Sequence, residues 1–294
     1  MIRYAAVDVG SNAVRLLIAD VILKDDKYTY KKNTLIRVPL RLGDDAFLEK
    51  HISPKKGEAL LKTMQAFKNL MDVYQVSGYL ACATSAMREA VNGAELATDI
   101  SRQTGLNLEI IEGAREARII YANHIEEQLD IRKNFLYIDV GGGSTELSLF
   151  VDKQVVASRS FNIGTIRILD NQDKEEHWSD MRDWVKEQTR QHKHLVAIGT
   201  GGNINKLFRM SEEKENMPLS FIKLNALYNK INSHSLKERI SLLGLNQDRA
   251  DVIIPAAEIY LTLMKWTGIK QIYVPRLGLA DGMINLMIEE NLQA

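Results

Sequence analysis

Apolar and polar positions alternate in two rhythms along this chain. From Tyr4 an apolar run reaches Asp8, Gly10-Ser11-Asn12 turns it, and "VRLLIADVIL" runs back. A polar "KDDK" and then "YTYKKNTLIRVPL" complete the pattern of a three-stranded antiparallel meander. After Ser53-Pro54 the rhythm changes. Leu60, Met64, Phe67, Met71 and Tyr74 recur at steps of four and three, the buried stripe of a helix with proline at its first position. "GYLACA" reads as a buried strand, "TSAMREAVNG" as the segment leaving it, "GAELATDISRQTG" as a helix, "LEIIEG" as a strand and "AREARIIYANHIEEQL" as a helix.

The pattern then restarts. "FLYIDVGGGST" repeats the apolar-Asp-Val-Gly phrase of "YAAVDVGSN", with Asp139 standing 131 positions after Asp8. "ELSLF" predicts a second strand, "VDKQ" a turn and "VVASRSF" a third strand. Helices are expected around Met181 to His192, Asn203 to Arg209 and Leu224 to Ile231, with the strand "HLVAIGTGG" among them. "DRADVIIPAAEIYLTLMKWTG" reads as one apolar helix, and "QIYVPRLGLADGMINLMIEENL" as a strand turning through glycine into a terminal helix. A meander followed by strand-helix units, occurring twice, predicts an α/β protein of two like-folded domains facing a common cleft. The repeat puts the boundary near Asn123 to Arg132, giving domains 1–124 and 125–294, with the terminal helix able to pack back on the first.

Composition narrows the partners. Lys plus Arg and Asp plus Glu both number 38, so no global charge argues for nucleic acid or an anionic membrane. No apolar run approaches the ~18 residues of a membrane span, and the N-terminus enters a strand without signal-peptide organisation. Cys82 is the single cysteine, which excludes an internal disulfide framework and makes a reducing, cytoplasmic setting the expectation.

The chemistry concentrates at the turns. Three successive glycines, Gly141, Gly142 and Gly143, suggest that a group presses against the backbone, and a phosphate fits a nest of N–H groups extended by the hydroxyls of Ser144 and Thr145. A tight hairpin with a bulge is the plainer alternative. Gly10-Ser11-Asn12 occupies the equivalent turn of the first repeat. Gly201 and Gly202 end the strand "LVAI" before a helix, where oriented N–H groups favour anions; neither a Walker A loop nor a GxGxxG fingerprint is present. Asp8 and Asp139 end apolar strands and Glu146 follows the triple glycine. Carboxylates so placed either hold a cation, with Mg2+ the best fit for acids meeting phosphates, or cap the turns through their own backbone. Glu116, in the first turn of a helix, is read as dipole stabilisation or as chemistry, and Arg88 as a surface cation or a fork on phosphate.

Taken together, "VDVGSNAVRLL", "ATSAMREA", "IEGAREARIIY", "IDVGGGSTEL", "FNIGTIRI", "GTGGN" and "RADVI" resemble, in order and spacing, the exopolyphosphatase and guanosine pentaphosphate phosphohydrolase (Ppx/GppA) family, within the superfamily of actin, sugar kinases and chaperone ATPases. The resemblance covers nearly the whole chain. It implies two ribonuclease-H-like domains and magnesium-assisted release of terminal phosphate from linear polyphosphate or guanosine pentaphosphate. It implies that Glu116 is the base that activates water and that Asp139 and Glu146 position magnesium and water; Asp8, from its matching place at a strand end, is a further candidate ligand. Gly10 to Asn12, Gly141 to Thr145 and Arg88 then grip phosphate. A homodimer is a further family expectation.

Three positions depart from the family pattern. Arg115 stands where a second acid is frequent, Ala13 where serine is frequent, and Ala280 in "GLADG" where Gly-Leu-Arg-Glu-Gly is usual. Longer members extend the basic channel with C-terminal helical domains, and this sequence stops short of them, so short polyphosphate chains or a nucleotide are the expected substrates. A non-catalytic sensor of polyphosphate or alarmone is the reading from a different class.

Overall fold

A computed structural model of the protein describes residues 2–24, 27–124, 134–152, 154–192 and 195–293. The chain divides into two compact units, Met1–Asn123 with Gly278–Ala294, and His124–Leu277. The first unit opens with the meander: β1 (Arg3–Val9), β2 (Val14–Lys24) and β3 (Lys27–Val38), followed by α1 (Leu42–Leu48) and α2 (Pro54–Val73). It continues through β4 (Gly78–Ala83), α3 (Ser85–Glu89), α4 (Gly93–Thr104), β5 (Glu109–Ile110) and α5 (Gly113–Tyr121). The five strands form one sheet in the order β3-β2-β1-β4-β5, with β1 antiparallel to β2 and parallel to β4.

The second unit repeats this plan. It contains β6 (Phe135–Val140), β7 (Thr145–Val151), β8 (Gln154–Phe161), α6 (Thr165–Leu169), α7 (Glu175–Thr189), β9 (Val196–Thr200) and α8 (Gly202–Met210). Then come β10 (Leu219–Ser220), α9 (Phe221–Asn232), α10 (Leu236–Ser241), α11 (Gln247–Ala250), α12 (Ile253–Thr267) and β11 (Gln271–Tyr273). The sheet order is β10-β11-β9-β6-β7-β8, so β8-β7-β6-β9-β11 mirrors β3-β2-β1-β4-β5 in connection and sense. The last helix, α13 (Leu279–Gln293), belongs to the first unit and packs on its sheet and on α5.

Burial follows the sequence rhythm. The α2 stripe of Leu60, Met64, Phe67 and Met71 is buried, each such side chain contributing ~1.5–3 kcal/mol relative to exposure. In the second unit α12 is apolar on nearly every side. Ile253, Ala256, Ile259, Tyr260, Leu263 and Met264 all enter the core cluster around Leu136, Ile138 and Ala197 of the central strands. Among the described residues no helix is long and apolar enough to cross a membrane.

Several expectations needed revision. The single apolar helix expected from Asp248 is two, α11 and α12. The Val252 N–H donates to Asp251 Oδ1, a side-chain bond that competes with helical pairing, and Pro255 is tolerated only in a first turn, so the helix restarts just before it. The strand "LEIIEG" contracts to two residues, and the helix opening at Gly113 ends at Tyr121; its expected continuation to Leu129, like residues 125–132 of the expected boundary and Lys153 of the "VDKQ" turn, lies outside the described residues. The short helices α1, α3, α6 and α10 carry too few turns to show a period.

Candidate active site

The two units carry their candidate groups at matching places, the ends of the central strands and the turns that follow them. In the first unit, Asp8 lies directly opposite Arg15 across the β1–β2 hairpin. Arg15 Nη1 donates to Asp8 Oδ2 at 2.6 Å, and the Asp8 side chain is only 7% exposed. The turn between them closes through Gly10 N–H on the Ala13 carbonyl. The Ser11 and Asn12 carbonyls accept from Gly43 and Arg41 N–H, which docks the start of α1 on the turn, while the Ser11 and Ser85 hydroxyls share a bond of 2.9 Å that ties it to α3. Arg88, in the last turn of α3, donates from Nη1 to the Ile111 carbonyl at 2.6 Å. Glu116 is buried in the first turn of α5.

Cys82 lies beside Asp8 in β4. Burial first, and then the negative charge of Glu109, with lesser contributions from Asp8 and Glu116, push its thiol up to about 12 against a smaller opposing effect of Arg115. It stays protonated at neutral pH, which makes it a poor nucleophile.

Helix α5 is fixed from behind. A Cβ at Gly282 of α13 would come within 1.8 Å of the Ile119 carbonyl, so the two helices meet backbone to backbone at that glycine. Asn123, at the end of α5, donates to the Ile120 and Gly278 carbonyls and accepts from Asn285. Asp281 receives Gly278 N–H, Tyr30 Oη–H and Lys32 Nζ, anchoring the start of α13 to β3. This is where the "GLADG" phrase acts.

In the second unit Asp139 stands opposite Glu146, the same two positions as Asp8 and Arg15. The turn again closes by Gly141 N–H on the Ser144 carbonyl. None of the three glycines has the left-handed backbone that would by itself call for glycine. The close approach comes from Gly164, whose Cβ position would lie 2.4 Å from the Gly142 carbonyl oxygen. Thr165 and Ile166 N–H donate to the Gly141 and Gly142 carbonyls, and the buried Arg167 donates from Nε to the Gly143 carbonyl at 2.6 Å. Thr145 Oγ1–H donates to the Ile163 carbonyl. The turn's carbonyls are thus drawn into the protein, and among the described residues no backbone acceptor takes Gly142 or Gly143 N–H.

Gly201 does need its freedom. Its φ is 105°, and a Cβ there would lie 3.0 Å from Asp139 Oδ1, so the start of α8 lies against that carboxylate. Below it, Tyr260 Oη–H donates to the Thr200 carbonyl at 2.6 Å. Burial and then the negative charge of Asp139 raise the Tyr260 phenol well above its ordinary value.

The donor set of this second unit is all oxygen, with two carboxylates facing across one register position and a glycine cradle beside one of them. It fits a hard divalent cation that keeps water and phosphate as its other ligands. The first hairpin, with a guanidinium at the second position, already supplies a positive charge to its aspartate.

Residues 32–291 match the model of the Ppx/GppA phosphatase family. The chain belongs to that family. It is 28% identical over 287 residues to the bifunctional 3-dehydroquinate synthase/phosphatase of Fusobacterium nucleatum, covering 90% of this chain and 43% of that protein. It is 24% identical over 309 residues to exopolyphosphatase 1 of Mycobacterium tuberculosis, covering 96% and 87%. The crystal structure of an exopolyphosphatase from Cytophaga hutchinsonii shares the fold at TM-score 0.85 and 23% identity, over 98% of each chain. The chain is therefore a two-domain Ppx/GppA protein of the actin-like ATPase fold.

Two basic residues of the site were absent from the sequence-based set of this Ppx/GppA member. Arg15 follows Asp8 by seven positions, as Glu146 follows Asp139, so the repeat itself carried the signal. Arg167 lies in "FNIGTIRI", and nothing in its spacing marks it as the donor that holds the glycine turn.

Proposed function

We propose that this protein is an exopolyphosphatase, hydrolysing the terminal phosphoanhydride of short linear polyphosphate with a divalent cation, most simply Mg2+. The observation that carries the reading is the Asp139–Glu146 pair. Two carboxylates face one another beside a glycine turn whose carbonyls are withdrawn, so that pair favours a cation and the adjoining amides favour an anion. The exopolyphosphatase relatives support the substrate class.

In this reading Asp139 and Glu146 hold the cation. Gly142 and Gly143 N–H, with the Ser144 hydroxyl, hold oxygens of the terminal phosphate, and the amides of Gly201 and Gly202 hold those of the next. Gly10, Ser11 and Asn12 serve the same purpose in the first unit, with Arg15, aligned by Asp8, and Arg88 supplying positive charge. A bound divalent ion would neutralise charge on the phosphate oxygens. Glu116 takes the proton of a water whose oxygen forms the new bond to phosphorus; the bridging P–O bond breaks, and its electron pair leaves with the shortened chain. Positioning and electrostatics carry most of such a reaction. Cys82, protonated and buried, takes no part. The protein acts as a homodimer, as twofold assemblies are the commonest.

The test is phosphate release by the purified protein from short polyphosphate, long polyphosphate, guanosine pentaphosphate and ATP, with Mg2+ and with chelator. Magnesium-dependent release fastest from short polyphosphate is expected. Preference for guanosine pentaphosphate would move the substrate, and tight binding without release from any of them would make the protein a sensor.

A further inference from the structure

Register places four polar side chains in one row across the second sheet. Thr200 pairs with Asp139, Asp139 with Glu146, and Glu146 with Ser160. Paired positions on neighbouring strands project to the same face, so the row reads hydroxyl, carboxylate, carboxylate, hydroxyl. The equivalent row of the first sheet is Cys82, Asp8, Arg15 and Arg37. Where the first unit balances its aspartate with the Arg15 guanidinium and ends on arginine, the second adds a further carboxylate and ends on serine.

Ser160 is more than the neighbour of Glu146. Its Oγ–H donates to Glu146 Oε1 at 2.8 Å, and Glu146 is buried at 4% exposure. A hydroxyl donating to an ionised carboxylate forms a charge-assisted bond, stronger than a neutral one and directional. Ser160 lies near the end of β8, an edge strand exposed over much of its length. One pair earlier on the same face, Ser158 shares its bond of 2.8 Å with another hydroxyl, that of Ser148.

We propose that Ser160 is a positioning residue for the reaction: it fixes the rotamer of Glu146 so that the carboxylate meets the divalent cation without first having to be ordered. This rests on the reading of Asp139 and Glu146 as the cation's ligands. Outer partners of metal-binding carboxylates typically change metal affinity by about 10- to 100-fold when removed, and Ser160 is assigned an effect of that size.

The experiment compares Ser160→Ala, Ser160→Thr, Ser158→Ala and Glu146→Gln with the unaltered protein. Two quantities are read. One is the rise in melting temperature on adding Mg2+ without substrate; the other is the KM for Mg2+ beside the KM for polyphosphate. For Ser160→Ala the expectation is a KM for Mg2+ raised by about 10-fold or more, a polyphosphate KM within about twofold at saturating Mg2+, and a melting-temperature response shifted to higher Mg2+ by the same factor. Ser160→Thr restores both. Ser158→Ala changes neither, which separates the Glu146 bond from simple loss of a strand hydroxyl. A Ser160→Ala protein that responds to Mg2+ like Ser158→Ala overturns the positioning role. If instead Glu146→Gln keeps its full Mg2+ response, the carboxylate reading beneath the proposal is overturned.

Discussion

Asp139 and Glu146, both carboxylates, face each other across β6 and β7, whereas the two residues at the same positions of the first hairpin, Asp8 and Arg15, form an ion pair of 2.6 Å. One duplicated hairpin joins a carboxylate to a guanidinium, and the other sets two carboxylates opposite one another. Each carboxylate offers the cation a ligand oxygen, so Asp139→Asn and Glu146→Gln should weaken the rise in melting temperature that Mg2+ produces. The same variants should lose most of their phosphate release at Mg2+ concentrations that saturate the unaltered protein, whereas Glu116→Gln should lose about 10²- to 10⁴-fold, the range for a group acting directly on the reacting water. Thermal unfolding with Mg2+ and with chelator and a phosphate-release assay check both; an undiminished Mg2+ response in either variant contradicts its place on the cation.

Arg167 donates to the Gly143 carbonyl from a buried position. Arg167→Ala removes a charged donor, which corresponds to about 1.5–3 kcal/mol, and frees the turn that the amides depend on. The polyphosphate KM should rise more than kcat falls. Arg167→Lys should not rescue it, because an ammonium does not reproduce the planar fork. Recovery with lysine would show that charge alone matters there.

Two glycines of one phrase should behave oppositely. Gly282→Ala puts a methyl group 1.8 Å from the Ile119 carbonyl, while a Cβ at Gly278 meets nothing within 4 Å. Gly282→Ala should cost about 1–3 kcal/mol or more through overpacking and should lower activity by shifting α5 with Glu116. Gly278→Ala should stay within about 0.5 kcal/mol of the unaltered protein. Urea unfolding of the pair gives the comparison, and equal midpoints would remove the helix contact as the explanation of "GLADG".

The Cys82 thiol has a raised value in the folded chain, about 12, against about 8.5 unfolded. The folded state therefore keeps a proton that the unfolded state releases, and stability falls as pH rises from about 8.5 toward 12. Cys82→Ala should flatten that part of the stability curve. Iodoacetamide should label Cys82 at pH 8 only after unfolding; rapid labelling of the folded protein would contradict its burial.

Much of this was readable from the sequence. The meanders were legible because an aspartate and a glycine turn interrupt apolar runs twice at the same spacing, and α2 was legible because Leu60, Met64, Phe67 and Met71 keep a helical period over about three turns. Helices α1 and α6, of seven and five residues, have no such length. Their importance lies in their first N–H groups, which take the carbonyls of the two turns. The glycine run was readable as a place of close approach, but part of what approaches is the protein's own Gly164 backbone, a tertiary contact 21 positions or more away that no local pattern encodes. Arg15 had a signal in the repeat offset, and Arg167 had none. Ser160 becomes visible only when β7 and β8 are in register.

The claim that the cation belongs to the second unit is tested most directly by counting bound Mn2+, as a probe for Mg2+, by electron paramagnetic resonance in the unaltered protein, Asp139→Asn and Asp8→Asn. Tight binding that Asp139→Asn abolishes and Asp8→Asn retains is expected, because Asp8 already has Arg15 as its counter-charge. Loss of Mn2+ in Asp8→Asn with retention in Asp139→Asn would contradict it.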